Sequence, residues 1–356
     1  MDYKENFRFD QEIEFSIIPF KLRFKKPAKT SRDTLTGREI FFIKIYYKEN
    51  PEIFGLGECS PIYGLSPEDP ITVETTLLNE LNLLKSTRSI DFGSISVSSV
   101  RFSLEMAIYD LINGGKRRIS NHSFGLPIPI NGLVWMNPVE VMKKDGLDKI
   151  LDGYSTVKFK IGAEDFNEEL EMLRSVRDRF DSNRITIRLD ANGAFNEKNV
   201  IEKLEQLSKF DIHSIEQPIA PGNWNFMNEL VKSSPIPIAL DEELIGISTI
   251  EKKRLLLETI QPNFIVLKPM LHGGLGGCLE WIATARETGV DFWITSMLES
   301  SVGLNIIAQW VADMNVVMPQ GLGTGGLYEN NLPPAWETKE GYLYFKGLEA
   351  LSQIQL

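Results

Sequence analysis

Five short runs, each closing on a charged residue, punctuate the middle of this chain: STVKFK ending at Lys160, ITIRLD at Asp190, HSIE at Glu216, PIALD at Asp241 and FIVLK at Lys268. Their spacing of about 25 to 30 residues is the length of one strand plus one returning helix, and repeated units of that kind close into a barrel whose strand carboxyl ends share a face. Each run is largely apolar before its last residue, as in a buried parallel strand. Three carboxylates are thereby expected to converge between two amine-bearing ends. That is the outline of a divalent-cation site flanked by proton-transfer groups.

Composition narrows the class further. The chain has 356 residues, 42% hydrophobic and 24% charged, the balance of a globular protein with a sizeable core and room for about two domains. A formal net charge of -11 argues against a nucleic-acid surface, because phosphate binding needs a basic footprint. Cys59 and Cys278 are too few for a disulfide framework and form no CxxC pair, which favours a reducing cytoplasm. The opening MDYKENFRFDQEIEF lacks an apolar region behind a positive start, and no run approaches the roughly 20 apolar residues of a membrane span. The expectation is a cytoplasmic protein with a small-molecule partner, neither membrane nor nucleic acid. Nothing in the pattern specifies an oligomeric state.

Residues 1–125 differ in texture from the rest of the chain. Period-two patterns in EIEFSIIPFKLRF and EIFFIKIYY, with PEIFGLGE behind them, predict antiparallel strands. The polar link KKPAKTSRDTLTGR reads as a long mobile connection between the first two. Helical spacing from Val73 to Leu84 and from Val100 to Ile112 completes an α+β capping domain. From GLPIPINGLV onward, strand-like and helical runs alternate, which predicts an α/β barrel of seven or eight units, a (β/α)7-8 TIM-type barrel over 126–325. The turn-rich segment 326–356 is expected to leave the barrel and pack back on the capping domain.

Lys158 and Lys160 lie two apart, so on a strand both point to one face, here the barrel interior. Repulsion between two such ammonium groups is expected to lower the pKa of one toward the range of a proton acceptor. The alternative is a solvated lysine pair. Singly, Asp190, Glu216 and Asp241 could be helix caps or partners of arginines. Together, on successive units, they repel one another unless a cation neutralises them. Mg²⁺, with Mn²⁺ as a substitute, suits carboxylate oxygens. Zinc is disfavoured by the lack of ligand spacing among His122, His213 and His272. Asn192 and Gln217 stand beside the carboxylates as supports. Lys268 faces Lys160 across the metal, or else ion-pairs with a carboxylate. Beyond it, Gly273 in GGLGG is assigned a turn and substrate-contact role; Ser296, Glu299 and Ser300 in SMLESS come next; and Gly323 and Thr324 in GLGTGG offer backbone N–H groups to an anionic substrate.

The set Lys158-Phe-Lys160, Asp190-Ala-Asn192, Glu216-Gln-Pro218, Asp241-Glu-Glu243 and Lys268-Pro269 resembles the enolase superfamily, specifically its muconate-lactonising subgroup with a lysine on each side of the metal. The resemblance covers nearly the whole chain. GLGECSPIYGLSPE looks like that superfamily's capping loop, and SVRFSLEMAIYDL like its helix leading into the barrel. It implies that Asp190, Glu216 and Asp241 bind Mg²⁺ and stabilise an enediolate, that Lys160 is the base tuned by Lys158, and that Lys268 acts electrostatically on the opposite face. Within the subgroup, SVRFSLEMA, PIPINGLVWM and SMLESSVG are similar to a dehydratase that forms an aromatic ring by syn elimination of water. Racemases and dipeptide epimerases share the two-lysine constellation, although PMLHGGLGG lacks the epimerases' Asp-x-Asp. A binding protein that kept the barrel without turnover is disfavoured, since all five site residues are present.

Overall fold

The computed structural model describes residues 3–29, 34–120 and 125–356. Residues 30–33 of the polar link, and His122, lie outside them. The chain begins with β1 (Asn6–Arg8) and a three-stranded antiparallel meander of β2 (Ile13–Lys29), β3 (Thr34–Tyr47) and β4 (Asn50–Cys59), followed by α1 (Pro70–Thr87), β5 (Ser89–Asp91), which pairs with β1, and α2 (Ser98–Ile112). The link expected to be a mobile connection is largely strand. Pairing resumes at Ala28 with Leu35 after a register shift beyond Arg23, so β2 and β3 carry their ladder outward through most of it. Composition misleads there because cross-strand hydrogen bonding depends on the partner rather than on local polarity.

Helix α2 is buried on every side from Ser99 to Leu111, because it lies between the meander and the barrel. Two glycines of β4 permit that approach. A Cβ at Gly55 would stand 1.7 Å from the Ala107 carbonyl oxygen, and one at Gly57 would stand 2.0 Å from that of Ser103. Close backbone approach of this kind excludes any side chain.

After β6 (Ile128–Pro129) the barrel starts with β7 (Gly132–Val134). It continues through α3 (Val139–Leu151), β8 (Thr156–Lys160), α4 (Phe166–Arg177), β9 (Thr186–Asp190), α5 (Val200–Ser208), β10 (Ile212–Glu216), α6 (Trp224–Ser233) and β11 (Ile238–Leu240). It ends with α7 (Ile250–Ile260), β12 (Phe264–Leu267), α8 (Gly274–Thr288), β13 (Asp291–Ile294) and α9 (Ser301–Asp313). The seven strands β7 to β13 pair in parallel, each with its sequence neighbour. The circle closes through Gln320–Gly321, which bridges in parallel to Ile130 on one side and Thr295 on the other. The eighth stave is thus two residues long, and the expected seven or eight units are seven strands and a short closure. No helix of the described residues is long and apolar enough to cross a membrane.

The last segment divides. Residues 327–329 run along β2, with Lys25 N–H donating to the Leu327 carbonyl and Glu329 N–H to that of Arg23. The hairpin β14 (Trp336–Lys339) and β15 (Tyr342–Phe345) pairs with β6 at the amino end of the barrel, and α10 (Leu348–Ser352) comes after it. The Ile354 carbonyl accepts from Arg117 Nε just beyond α2.

Candidate active site

Alternation along β8 sends Val157 and Phe159 into the helix-covered wall and Lys158 and Lys160 into the barrel. Register then sets the levels: Lys160 pairs with Asp190, and Asp190 with Glu216, so three charged strand ends lie side by side. Asp241 and Lys268 follow directly on β11 and β12. All five side chains, with Lys158, line one cavity of about 190 Å³ at the carboxyl ends of the strands.

The groups are tightly paired. Lys158 Nζ donates to Asp190 Oδ2 at 3.1 Å and Glu216 Oε2 at 2.9 Å, and Lys160 Nζ to Asp190 Oδ2 at 2.9 Å and Asn192 Oδ1 at 2.6 Å. Lys268 Nζ reaches both oxygens of Asp241. Among the described residues no three acidic, histidine or cysteine groups form a ready cation cluster; Lys158 bridges Asp190 and Glu216, and Lys268 pairs with Asp241.

Electrostatics follow from burial and these pairs. Burial alone would raise the Asp190 pKa, but Lys160 and Lys158 outweigh it and hold the carboxyl well below its usual range. Lys268 does the same for Asp241. Glu216 goes the other way: burial and the charge of Asp190 push it up to about 8 despite Lys158. The expected lowering of one lysine by its twin does not fall on Lys158. Burial works to lower its pKa, yet Glu216 and Asp190 raise it above the ordinary lysine value. Lys268 is raised as well: burial works to lower it, but Asp241, Glu216 and Glu242 together outweigh burial. At Lys158 the like charge two residues away matters less than the opposite charges that it touches.

All but one of the remaining sequence-predicted residues fall into two groups. Asn192, Ser296, Gly323 and Thr324 line the cavity. Asn192 also accepts from Lys160 and donates to Glu242 at 3.0 Å. Gln217, Glu299 and Ser300 stand behind the wall. Gln217 Oε1 accepts from the Asp241 and Glu243 N–H groups, and Glu299 accepts from Ser296 Oγ at 2.6 Å and Met297 N–H at 2.8 Å. Ser300 caps α9 and donates to Glu58 of β4. Gly273 is a correction. It caps α8 at φ 79°, donates to Ser98 Oγ and faces Arg101 of α2, so it forms the turn but does not line the cavity.

Sequence reading missed Glu242, which a single turn of 3₁₀ helix after Asp241 swings into the cavity, where burial and Asp241 push its carboxyl up. It also missed the apolar walls from the barrel: Leu133 on the first strand, Trp135 just past it, and Met297 and Leu298 past the seventh. The loops at 29–38 and 61–65 are expected from the sequence to close over the substrate, without its showing that Leu35, Ile62 and Leu65 are the side chains that line the cavity. PIPINGLVWM and SPIYGL hold several of them, but the signal marks a strand and a turn, not an inward side. Arg188, one layer below, stacks its guanidinium 4.2 Å from the Trp293 ring and donates to the Pro319 carbonyl.

Residues 144–346 match a family model described as enolase C-terminal domain-like. The chain belongs to the enolase superfamily. An o-succinylbenzoate synthase from Desulfotalea psychrophila is 41% identical to it, over 90% of this chain and 96% of that protein. The crystal structure of MenC from the same organism superposes with a TM-score of 0.78 at 36% identity, covering 94% of this chain and 99% of that one. An N-succinylamino acid racemase from Thermus thermophilus is 28% identical, over 82% and 79% of the two chains. The L-Ala-D/L-Glu epimerase from Bacillus subtilis reaches a TM-score of 0.81 at 19% identity, over 94% and 96%, a likeness of fold alone. The expectation of an enzyme of this superfamily, built as a capped barrel, holds.

Proposed function

We propose that this member of the enolase superfamily is an o-succinylbenzoate synthase, which removes water from 2-succinyl-6-hydroxy-2,4-cyclohexadiene-1-carboxylate and leaves an aromatic ring. The observation that carries the reading is the pair of amines, Lys160 and Lys268, entering one cavity on either side of three buried carboxylates. The 41% identical relative over nearly its full length supports the choice of substrate.

The donor set fits Mg²⁺: Asp190, Glu216 and Asp241 bring buried carboxylate oxygens from adjacent strand ends, and the mutual repulsion that pushes Glu216 up is relieved by a divalent cation. These three would hold the ion, which supplies positive charge beside the substrate carboxylate and makes the neighbouring C–H more acidic. Lys160 Nζ takes that proton. Asn192 and Asp190 fix its position, and the same amine, now carrying the proton, returns it to the departing hydroxyl on the same face. One C–H and one C–O bond break, a ring double bond forms, and water leaves by syn elimination. Lys268, held by Asp241, presents positive charge to the opposite ring face. Lys158 stays charged between Asp190 and Glu216 and offsets their repulsion. The apolar walls from Trp135 and the capping domain exclude water around the ring. Two buried thiols, Cys59 and Cys278, suit the reducing cytoplasm in which we place the enzyme.

The racemase relative makes a second reading concrete, racemisation of an N-succinylamino acid by the same two lysines. Parallel assays separate the two. The synthase reading expects kcat/KM for dehydration to exceed that for racemisation. Exchange of the amino-acid α-hydrogen in D₂O, with racemisation but no dehydration of the cyclohexadiene, would transfer the assignment.

A further inference from the structure

We propose that Arg38 is a positioning residue that clasps the capping domain to the wall of the substrate cavity, and so sets how tightly the non-reacting part of the substrate is held. The proposal rests on the cavity's being the substrate site. Arg38 lies on β3, buried, and forms no ion pair among the described residues. Its fork instead meets four backbone carbonyls on two domains. Nη1 donates to Met297 at 2.7 Å and to Leu298, while Nη2 donates to Ser60 and, at 3.3 Å, to Pro61. Met297 and Leu298 line the cavity from the barrel, and Ile62, next to Pro61, lines it from the capping domain.

Leu298 makes the arrangement informative. Its φ is 61°, in the left-handed region that a leucine adopts only when its surroundings impose it. Here three bonds impose it: its N–H donates to Ser296 Oγ, and its carbonyl accepts from Arg38 and from Tyr328 Oη at 2.6 Å. A planar guanidinium holds four carbonyls on two loops through two nitrogens in a fixed fork; a lysine ammonium, with three N–H groups on a single nitrogen, cannot keep all four. Removing the fork frees Leu298 to return to ordinary backbone and shifts both it and the Ser60–Ile62 turn. The amines and carboxylates hang on other strands and keep their places. The consequence falls on substrate binding rather than on the chemical step.

Steady-state kinetics of Arg38→Lys on the cyclohexadiene substrate tests this. The expected result is KM raised about tenfold or more with kcat within about threefold of wild type. Arg38→Ala should show the same split and recover in added guanidinium ion but not in equal sodium chloride. Unchanged KM, or a loss confined to kcat, overturns the proposal. If both Arg38 variants fail to fold, Tyr328→Phe decides: a KM rise of about twofold to fivefold supports the clasp, and an unchanged KM overturns it. Hydrogen–deuterium exchange over residues 296–300 tests the clasp without any substrate. Faster exchange there in Arg38→Lys, with the other barrel strands unchanged, supports it even if wild type turns over no cyclohexadiene; unchanged exchange overturns it while leaving the proposed reaction standing.

Discussion

Glu299 sits behind the cavity wall at zero exposure, and burial, reinforced by the nearby Glu58 carboxylate, pushes its carboxyl up to about 7. The folded protein therefore holds this proton more tightly than the unfolded chain does. Stability from this group is complete below the ordinary carboxyl pKa near 4.5 and is lost as pH rises through about 7. The whole effect is at most ~3 kcal/mol. Glu299→Gln should flatten the fall in unfolding free energy between those limits, measured by denaturant titration at a series of pH values; an undiminished slope would contradict the assignment. SMLES marks Glu299 in the sequence as a charge just past an apolar strand. That it faces Ser296 rather than substrate depends on the turn at Leu298, which no local pattern encodes. The five strand ends were easier, because each is the last residue of an apolar run and strand alternation alone decides where it points. Arg38 was hidden for the opposite reason: its partners are carbonyls, and a carbonyl leaves no mark on a sequence.

At the scale of elements, periodicity made the β/α units legible while pairing set their ends. The barrel's closing stave, Gln320–Gly321, is too short to show a period, and only its neighbours make it a strand. The β2–β3 extension was missed likewise, since part of its outer edge is paired with residues 327–329, some 300 positions away by numbering. GLGE in β4 carried more information than its turn-like composition suggested. Gly57 lies where the α2 backbone touches the sheet, and a methyl group there would meet the Ser103 carbonyl at 2.0 Å. Backbone cannot swing aside as a side chain can, so Gly57→Ala should destabilise the protein by about 3 kcal/mol, the upper end of ordinary overpacking costs. Urea unfolding measures it, and a midpoint matching wild type would show that α2 can shift after all.

In the whole molecule, chemistry and selection come from different parts of the chain. The barrel supplies amines and carboxylates at strand ends, where rigid pairing holds them. The capping domain supplies Leu35, Ile62 and Leu65 above them, and buried Glu58 accepts from the N–H groups of Ser300, which caps α9, and of Gly303 in its first turn, tying the two together. The proposed partial reaction therefore rests on five residues, whereas the proposed choice of dehydration over racemisation rests on cavity shape assembled from distant segments. The proposed chemistry is tested most directly by the rate of aromatic product formation from 2-succinyl-6-hydroxy-2,4-cyclohexadiene-1-carboxylate with Mg²⁺, compared between wild type and Lys160→Ala. Wild type should form product rapidly, and the variant should lose roughly a thousandfold or more, as expected for removal of a proton-transferring group. Equal rates in the two proteins, or no aromatic product from metal-loaded wild type, would contradict that chemistry.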